Sequence, residues 1–195
     1  MKRALRYTFV VLAAIILGVA SAWFVLTRHA VSSVQNGPWL YDPMVGSQAA
    51  GPYLRAQVAH IALLALNNSE TIYFVANQDS AGNALRCEGT YRIDGRDFDA
   101  RWWSITAYGE DGFLMANDQN RYSYNMTNLA RNEDGGYTIC LSRAQRSGNW
   151  IPLGAGETFS IWLRFYNPSA ALREHLATME LPRIVREDGT HANAQ

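Results

Sequence analysis

The clearest pattern in the chain is an alternation that begins at Thr158 and ends at Tyr166. Phe159, Ile161, Leu163 and Phe165 fall on one face, and Ser160, Trp162, Arg164 and Tyr166 on the other, with the period of two expected of a strand. The first face is apolar throughout and is assigned to a core. The second carries rings and a fixed positive charge, unlike ordinary solvent-facing surface, and predicts a groove wall or a surface packed under a loop. A similar alternation covers 101–108, where Trp103, Ile105 and Ala107 oppose Trp102, Ser104 and Thr106. Glu110-Asp111-Gly112 follows as turn chemistry, because Asp-Gly tolerates positive φ at low steric cost. Phe113-Leu114-Met115 is then expected as the returning strand of a hairpin.

Shorter runs rich in β-branched and aromatic residues predict strands over 70–76, 85–93 and 137–141, with Cys87 and Tyr91 on one face of the second. Turns are expected at 77–83, at Asp94-Gly95 and at 132–136. Asn149-Trp150-Ile151-Pro152 leads toward the long alternating strand, and 181–185 is a last extended segment. Pro52 opens a helix with Leu54, Val58, Ile61, Ala62 and Ala65 on one face and Asn67 as its stop. A short helix is expected over 168–177. The pattern predicts a mainly β protein: an antiparallel β-sandwich or jelly roll, with an N-terminal transmembrane helix, one amphipathic helix before the sheet and a short helix near the C-terminus.

The run that starts at Tyr7 and ends at Leu26 contains no charge. As a helix it spans about 30 Å, the thickness of a bilayer's hydrocarbon core. Lys2, Arg3 and Arg6 precede it, so the positive-inside rule keeps the amino terminus in the cytoplasm and exports the rest. The expected location is a bacterial inner membrane, crossed once, with the body in the periplasm. The alternative is secretion after signal cleavage at Ala22, since Ala20-Ser21-Ala22 fits a small-residue cleavage site. Trp23-Phe24-Val25-Leu26 prolongs the apolar run and favours the uncleaved anchor. The expected division is a signal anchor at 1–27, a linker at 28–50, a β-sandwich domain at 51–187 and a flexible tail at 188–195.

Composition narrows the function classes. Seventeen basic side chains balance 17 acidic ones, so no whole-protein field recruits nucleic acid. Cys87 and Cys140 are too few for a disulfide framework or a four-cysteine zinc site; a single bridge between them and two unpaired thiols are both open. The sequence contains no Gly-x-Ser-x-Gly elbow, no His-Glu-x-x-His and no phosphate loop. Of the four histidines, His29 falls in the linker and His191 in the tail, leaving His60 and His175 on expected helices. Asp97 and Asp99 lack the ligand series of a calcium loop and are expected as solvated turn carboxylates. No metal, cofactor or catalytic set is expected. The densest hydrogen-bonding cluster is Asn117, Asp118, Asn120, Arg121, Tyr122 and Ser123. Asn117, Arg121, Tyr122 and Ser123 with Asn149, Trp150 and Arg164 are the candidate ligand-binding residues, since arginine offers planar paired donors and tyrosine a ring with a hydroxyl. The alternative is structural, with Arg121 and Arg164 paired to carboxylates such as Asp118, and Tyr122 and Trp150 in the core.

The central motif resembles the bacterial domain of unknown function 1214. The resemblance rests on Arg101-Trp102-Trp103-Ser104-Ile105-Thr106-Ala107-Tyr108, Asn117 with Arg121-Tyr122-Ser123, Asp134-Gly135-Gly136, Asn149-Trp150-Ile151-Pro152, and Phe159 with Arg164-Phe165-Tyr166. Gly37-Pro38-Trp39, Tyr53-Leu54-Arg55-Ala56 and Ser69-Glu70-Thr71-Ile72-Tyr73-Phe74 resemble the approach to that domain in its short, membrane-anchored members. It implies a β-sandwich that often sits beside, or fused to, a companion domain of unknown function 1254, which a separate partner chain would have to supply here. Two functions follow as expectations: a noncatalytic envelope module that binds a partner or small ligand through its aromatic, arginine-bearing face, or a hydrolase lobe using Ser123 or Asp118 with Arg121 on a phosphate or glycan. The enzyme reading requires carboxylate, arginine and hydroxyl groups in one open cleft.

Overall fold

Two alternating runs, 101–108 and 158–166, form the adjacent central strands of one sheet, and everything else is placed around them. The computed structural model describes residues 2–28, 33–60 and 65–187. In chain order the elements are α1 (Lys2–Arg28), β1 (Val34–Asn36), β2 (Trp39–Tyr41), α2 (Pro52–His60), β3 (Thr71–Ala76), β4 (Thr90–Gly95), β5 (Ala100–Gly109), β6 (Ser123–Asn125), β7 (Tyr137–Ser142), β8 (Asn149–Pro152), β9 (Phe159–Pro168), α3 (Ala170–Glu174) and β10 (Arg183–Glu187). A six-stranded sheet has the order β1-β2-β3-β9-β5-β6, and a four-stranded sheet the order β10-β4-β7-β8. The expected positions of Ile61, Ala62, His29, His191 and the 188–195 tail lie outside the described residues.

The inner faces of the two sheets share one apolar core. Phe159, Ile161, Leu163 and Phe165 of β9 all point into it, as do Trp103, Ile105 and Ala107 of β5. Rings join the layers: Tyr91 meets Phe159 edge-on with centroids 5.5 Å apart, and Trp103 stacks on Tyr137 at 5.0 Å, contacts that add to the gain from burial. The mainly β sandwich expected from the alternation is the architecture observed. It is not wholly antiparallel, because β8 runs parallel to β7, with Ile139 opposite Asn149 and Ser142 opposite Pro152.

Several local expectations are corrected. Phe113-Leu114-Met115 is not the returning strand. Gly109 N donates to Phe113 O at 2.9 Å, Phe113 N to Asp111 Oδ1 at 3.0 Å, and Gly112 has φ +79°. This closes a tight turn that gives no register with β5, and leaves Phe113 and Leu114 exposed. β6 takes the slot instead, pairing Ser104 with Asn125 and Thr106 with Ser123. Asp94-Gly95 is not a turn but the end of β4, opposite Thr138 and Tyr137. A Cβ on Gly95 would stand 2.5 Å from Tyr137 Oη, so the strand tolerates only glycine under that ring. Asp97 and Asp99 are exposed, as expected, and Asp97 is in addition bonded: its Oδ1 accepts from Trp103 Nε1 at 3.2 Å and its Oδ2 pairs with Arg131 at 2.8 Å.

The stretch 28–50, expected as a linker, carries β1 and β2, which complete the edge of the large sheet. Trp39 is fully buried, and its Nε1 donates to Pro182 O at 2.8 Å. Asn36 Nδ2 donates to the carbonyls of Leu176 and Met179. The folded body therefore begins well before residue 51. α2 meets the end of α1, where Gln57 Nε2 donates to Val25 O at 3.3 Å. α1 itself holds a stretch, Arg3–Val25, that is long and apolar enough to cross a membrane, with none of its most apolar window buried. Such a helix fits a membrane anchor or a signal sequence.

Candidate binding groove on the outer face of the large sheet

The outer face of the six-stranded sheet is an open groove of about 1040 Å³. Register builds it. Arg164 of β9 sits between Tyr73 of β3 and Ser104 of β5, and Trp162 lies between Val75 and Thr106. Ser160 faces Tyr108, Tyr166 faces Trp102, and Ser123 of β6 extends the face beyond Thr106. Since side chains on paired positions share a face, the rings and hydroxyls of four strands gather there. Leu66 stands at one edge, its backbone N–H donating to Tyr73 Oη at 3.0 Å. Glu110 stands at the end, accepting from Thr158 Oγ1 at 3.3 Å.

Arg164 is the centre of this face. Its Nη2 donates to Tyr108 Oη at 3.0 Å, and its guanidinium carbon lies 5.2 Å from the ring centroids of both Tyr108 and Trp162. Arg164 pairs with Ser104, four residues before Tyr108 on β5, a rise of about 13 Å at strand spacing. The two side chains therefore lie along the floor toward each other. Among the described residues no carboxylate is within ion-pair distance of Arg164, whereas Arg86, Arg92, Arg96 and Arg131 each have one. The ring contacts hold the charge by cation–π attraction without neutralising it. At the other end Trp102 meets Tyr166 edge-on at 5.0 Å. Burial pushes the Tyr166 phenol above its ordinary range, against a smaller opposing pull from Arg164.

The candidate residues from the sequence do not form one site. Of the seven, Ser123 and Arg164 line the groove. Arg121, Tyr122, Ser123 and Asn149 border a shallower depression of about 640 Å³, and Asn117 and Trp150, with Asp118, a separate one of about 610 Å³. Asn117 is a loop organiser: its Oδ1 accepts from the N–H groups of Gln119 and Arg121, and its Nδ2 donates to the carbonyls of Met115 and Arg121. Asn149 has both amide hydrogens and its oxygen committed, to Ala130 O, Thr138 O and Ala130 N. Trp150 is a core residue whose Nε1 donates to Ser142. Tyr122 Oη donates to Asn120 Oδ1, and the exposed Arg121 guanidinium lies 5.8 Å from the Tyr124 ring. Asp118, Arg121 and Ser123 thus do not converge on one cleft.

Of the two states left open for Cys87 and Cys140, the structure has the unpaired one: both are free thiols. Cys87 is buried in the core, its Sγ 3.4 Å from Thr158 O. Cys140 alternates with the inward Ile139 and Leu141 and so faces out from the small sheet. The two point to opposite sides of that sheet, which no disulfide geometry can span. Burial raises both thiols above their ordinary range.

The groove residues passed over by the sequence reading are Tyr73, Trp102 and Tyr108. Alternation had placed Trp102 opposite the core face, but not next to Tyr166, because periodicity does not say which strands are neighbours. No group of three or more histidine, cysteine or acidic side chains suited to a metal occurs among the described residues.

Comparison with known proteins agrees with the architecture. No curated protein matches the chain. A crystal structure of the VPA0106 protein from Vibrio parahaemolyticus is similar with a TM-score of 0.59 and 24% identity, over 72% of this chain and 36% of that one. An uncharacterized protein from Burkholderia cenocepacia aligns with a TM-score of 0.45 and 17% identity, over 90% of this chain and 42% of that one. The chain thus spans well under half the length of either. The family model described as "Protein of unknown function (DUF1214)" matches residues 70–170, β3 through the start of α3, and the chain belongs to that family.

Proposed function

We propose that the chain is a noncatalytic binding module of the cell envelope, held at a bacterial inner membrane by α1 with its β body in the periplasm, and that the groove over β3, β9, β5 and β6 is where it takes its ligand. The observation that carries this reading is the Arg164 guanidinium, held between two rings on an open floor with no carboxylate beside it. A fold does not need a half-buried, uncompensated charge on the outside of its largest sheet, and removing such a charge from water is costly unless something returns to it. The uncharged run and the three basic residues before it support the membrane tether and its orientation. A separate companion chain of the domain of unknown function 1254 family is a partner this module would serve.

The test fills the groove. Thr106 sits mid-floor, facing out from the sheet opposite Trp162 and largely covered by its neighbours, so Thr106→Trp crowds the groove floor. Compounds that raise the melting temperature of the full chain in mild detergent are expected to lose that effect in Thr106→Trp, with circular dichroism unchanged. Ligands that stabilise both proteins alike would place binding elsewhere and overturn the reading.

A further inference from the structure

We infer that the groove is built for an acidic sugar chain, one that presents a carboxylate to Arg164 while its ring faces lie on Trp162 and Trp102. The inference rests on the groove being the binding site, as argued above, and adds the class of ligand. Three features of the floor point to it. First, the fork of Arg164 keeps donors free, since only one contact, to Tyr108 Oη, is made by its Nη2; a planar carboxylate is the partner that fits two parallel guanidinium bonds. Second, hydroxyls and rings are interleaved. Ser104, Thr106 and Ser123 of β5 and β6 stand beside Trp162 and Arg164 of β9. A sugar presents both an apolar C–H face that covers an indole and hydroxyls at its edge that exchange hydrogen bonds with serine and threonine. A purely apolar ligand would bury those hydroxyls unmatched, which is unfavourable.

Third, the groove is large and open. At about 1040 Å³ it lies at the upper end of small-molecule sites, roughly 300–1,000 Å³, and its aromatic pairs stand at both ends: Tyr108–Trp162 with centroids 5.8 Å apart, and Trp102–Tyr166 at 5.0 Å. Two platforms on one floor suit a chain of linked rings better than a single ring. Glu110, at the end of the groove, adds directionality, because a second negative group placed there is repelled while one over Arg164 is held.

The probes are short oligomers of galacturonic, guluronic and glucuronic acid, with the neutral glucose trimer and inorganic phosphate as comparisons, titrated calorimetrically into the full chain in neutral detergent. At least one acidic oligomer is expected to bind at least tenfold more tightly than the neutral trimer. Arg164→Gln is expected to lose about 10- to 100-fold, the range of a hydrogen bond to a charged group. Arg164→Lys, which keeps the charge but not the fork, should fall between, and guards against a folding artefact in the first variant. Equal binding of neutral and acidic oligomers, both abolished by Thr106→Trp, would overturn the acidic class while leaving the groove as a site. Displacement by phosphate at the same concentration would show a bare anion site and overturn the sugar. Failure of every acidic oligomer would overturn the inference, and binding that persists in Thr106→Trp would remove both it and the reading beneath it.

Discussion

The outer faces of the two sheets use the same residue types to opposite ends. On the small sheet, Arg92 is paired with Asp94 at 2.8 Å and lies 3.8 Å from Glu187, and Thr138 Oγ1 donates to Asp94 Oδ1 at 3.0 Å. Arg92 and Asp94 there answer each other. On the large sheet, Arg164 has the rings of Tyr108 and Trp162 and the hydroxyl of the first, and among the described residues no carboxylate within ion-pair distance. The Arg92–Asp94 pair is solvated, and such surface pairs bring little net gain in stability. The arginine of the grooved face has no such counter-charge among the described residues.

The largest test of this contrast uses two neighbours in sequence. Trp103 is fully buried between the sheets, and Trp102 lies on the groove floor. Trp103→Ala is expected to cost about 3–5 kcal/mol in denaturant unfolding of the full chain, and Trp102→Ala no more than about 1 kcal/mol. Similar costs would mean that the outer face is structural after all. Next comes Tyr137, on the inner face of the small sheet, whose Oη is buried without a hydrogen-bond partner. Burial, with Asp97 nearby, raises this phenol strongly, so the native state keeps its proton where the unfolded chain releases it. Stability is therefore intact below about pH 10, the ordinary tyrosine value, and declines as pH rises above it. Tyr137→Phe should add up to about 1 kcal/mol at neutral pH and flatten that alkaline decline, as read by melting temperature against pH.

A smaller effect separates the outer faces directly. Ser104 is opposite Arg164, and Thr138 is opposite Asp94. Ser104→Asp supplies the missing counter-charge and should stabilise by about 0.2–1 kcal/mol, whereas Thr138→Asp sets like charges together and should destabilise by a similar amount. The same sign for both would dissolve the contrast. The least perturbing test is chemical. Intact mass should not change on reduction, and an alkylating reagent should modify Cys140 slowly and Cys87 only after unfolding, because burial shields both and Cys87 is enclosed. Rapid reaction at Cys87 would mean that the core opens readily.

Much of this was legible in the residues. The alternations at 101–108 and 158–166 carried the inward faces of β5 and β9 without error, because a half-buried strand writes its burial directly into period two. The β4 and β7 runs were less sharp at their ends, and the strand read at 85–93 begins at Thr90, after a turn at 87–89. Pairing was not legible. Nothing local distinguishes Phe113-Leu114-Met115 from Ser123-Tyr124-Asn125 as the partner of β5, and the tighter turn is settled by hydrogen bonds at Gly109 and Asp111. The site was read half correctly for the same reason. Polar density singled out 117–123, where Asn117 uses its amide to fold its own loop, while the groove needed the knowledge that β9 lies between β3 and β5. Arg164 was found because a charge interrupts an aromatic face, a signal visible along one strand. Trp39 fell within the expected linker because its strand is only three residues long, too short for any period to show.

That buried indole also bears on how the protein is made. Trp39 rests on the carbonyl of Pro182, 143 residues further along, so the segment after the apolar helix is clamped only once that long stretch has been synthesised. A polypeptide emerging amino end first must carry this ring uncovered until those 143 residues have followed it. The edge of the large sheet that it seals waits on the same stretch, which makes this early segment the part most in need of protection from sticking to its neighbours.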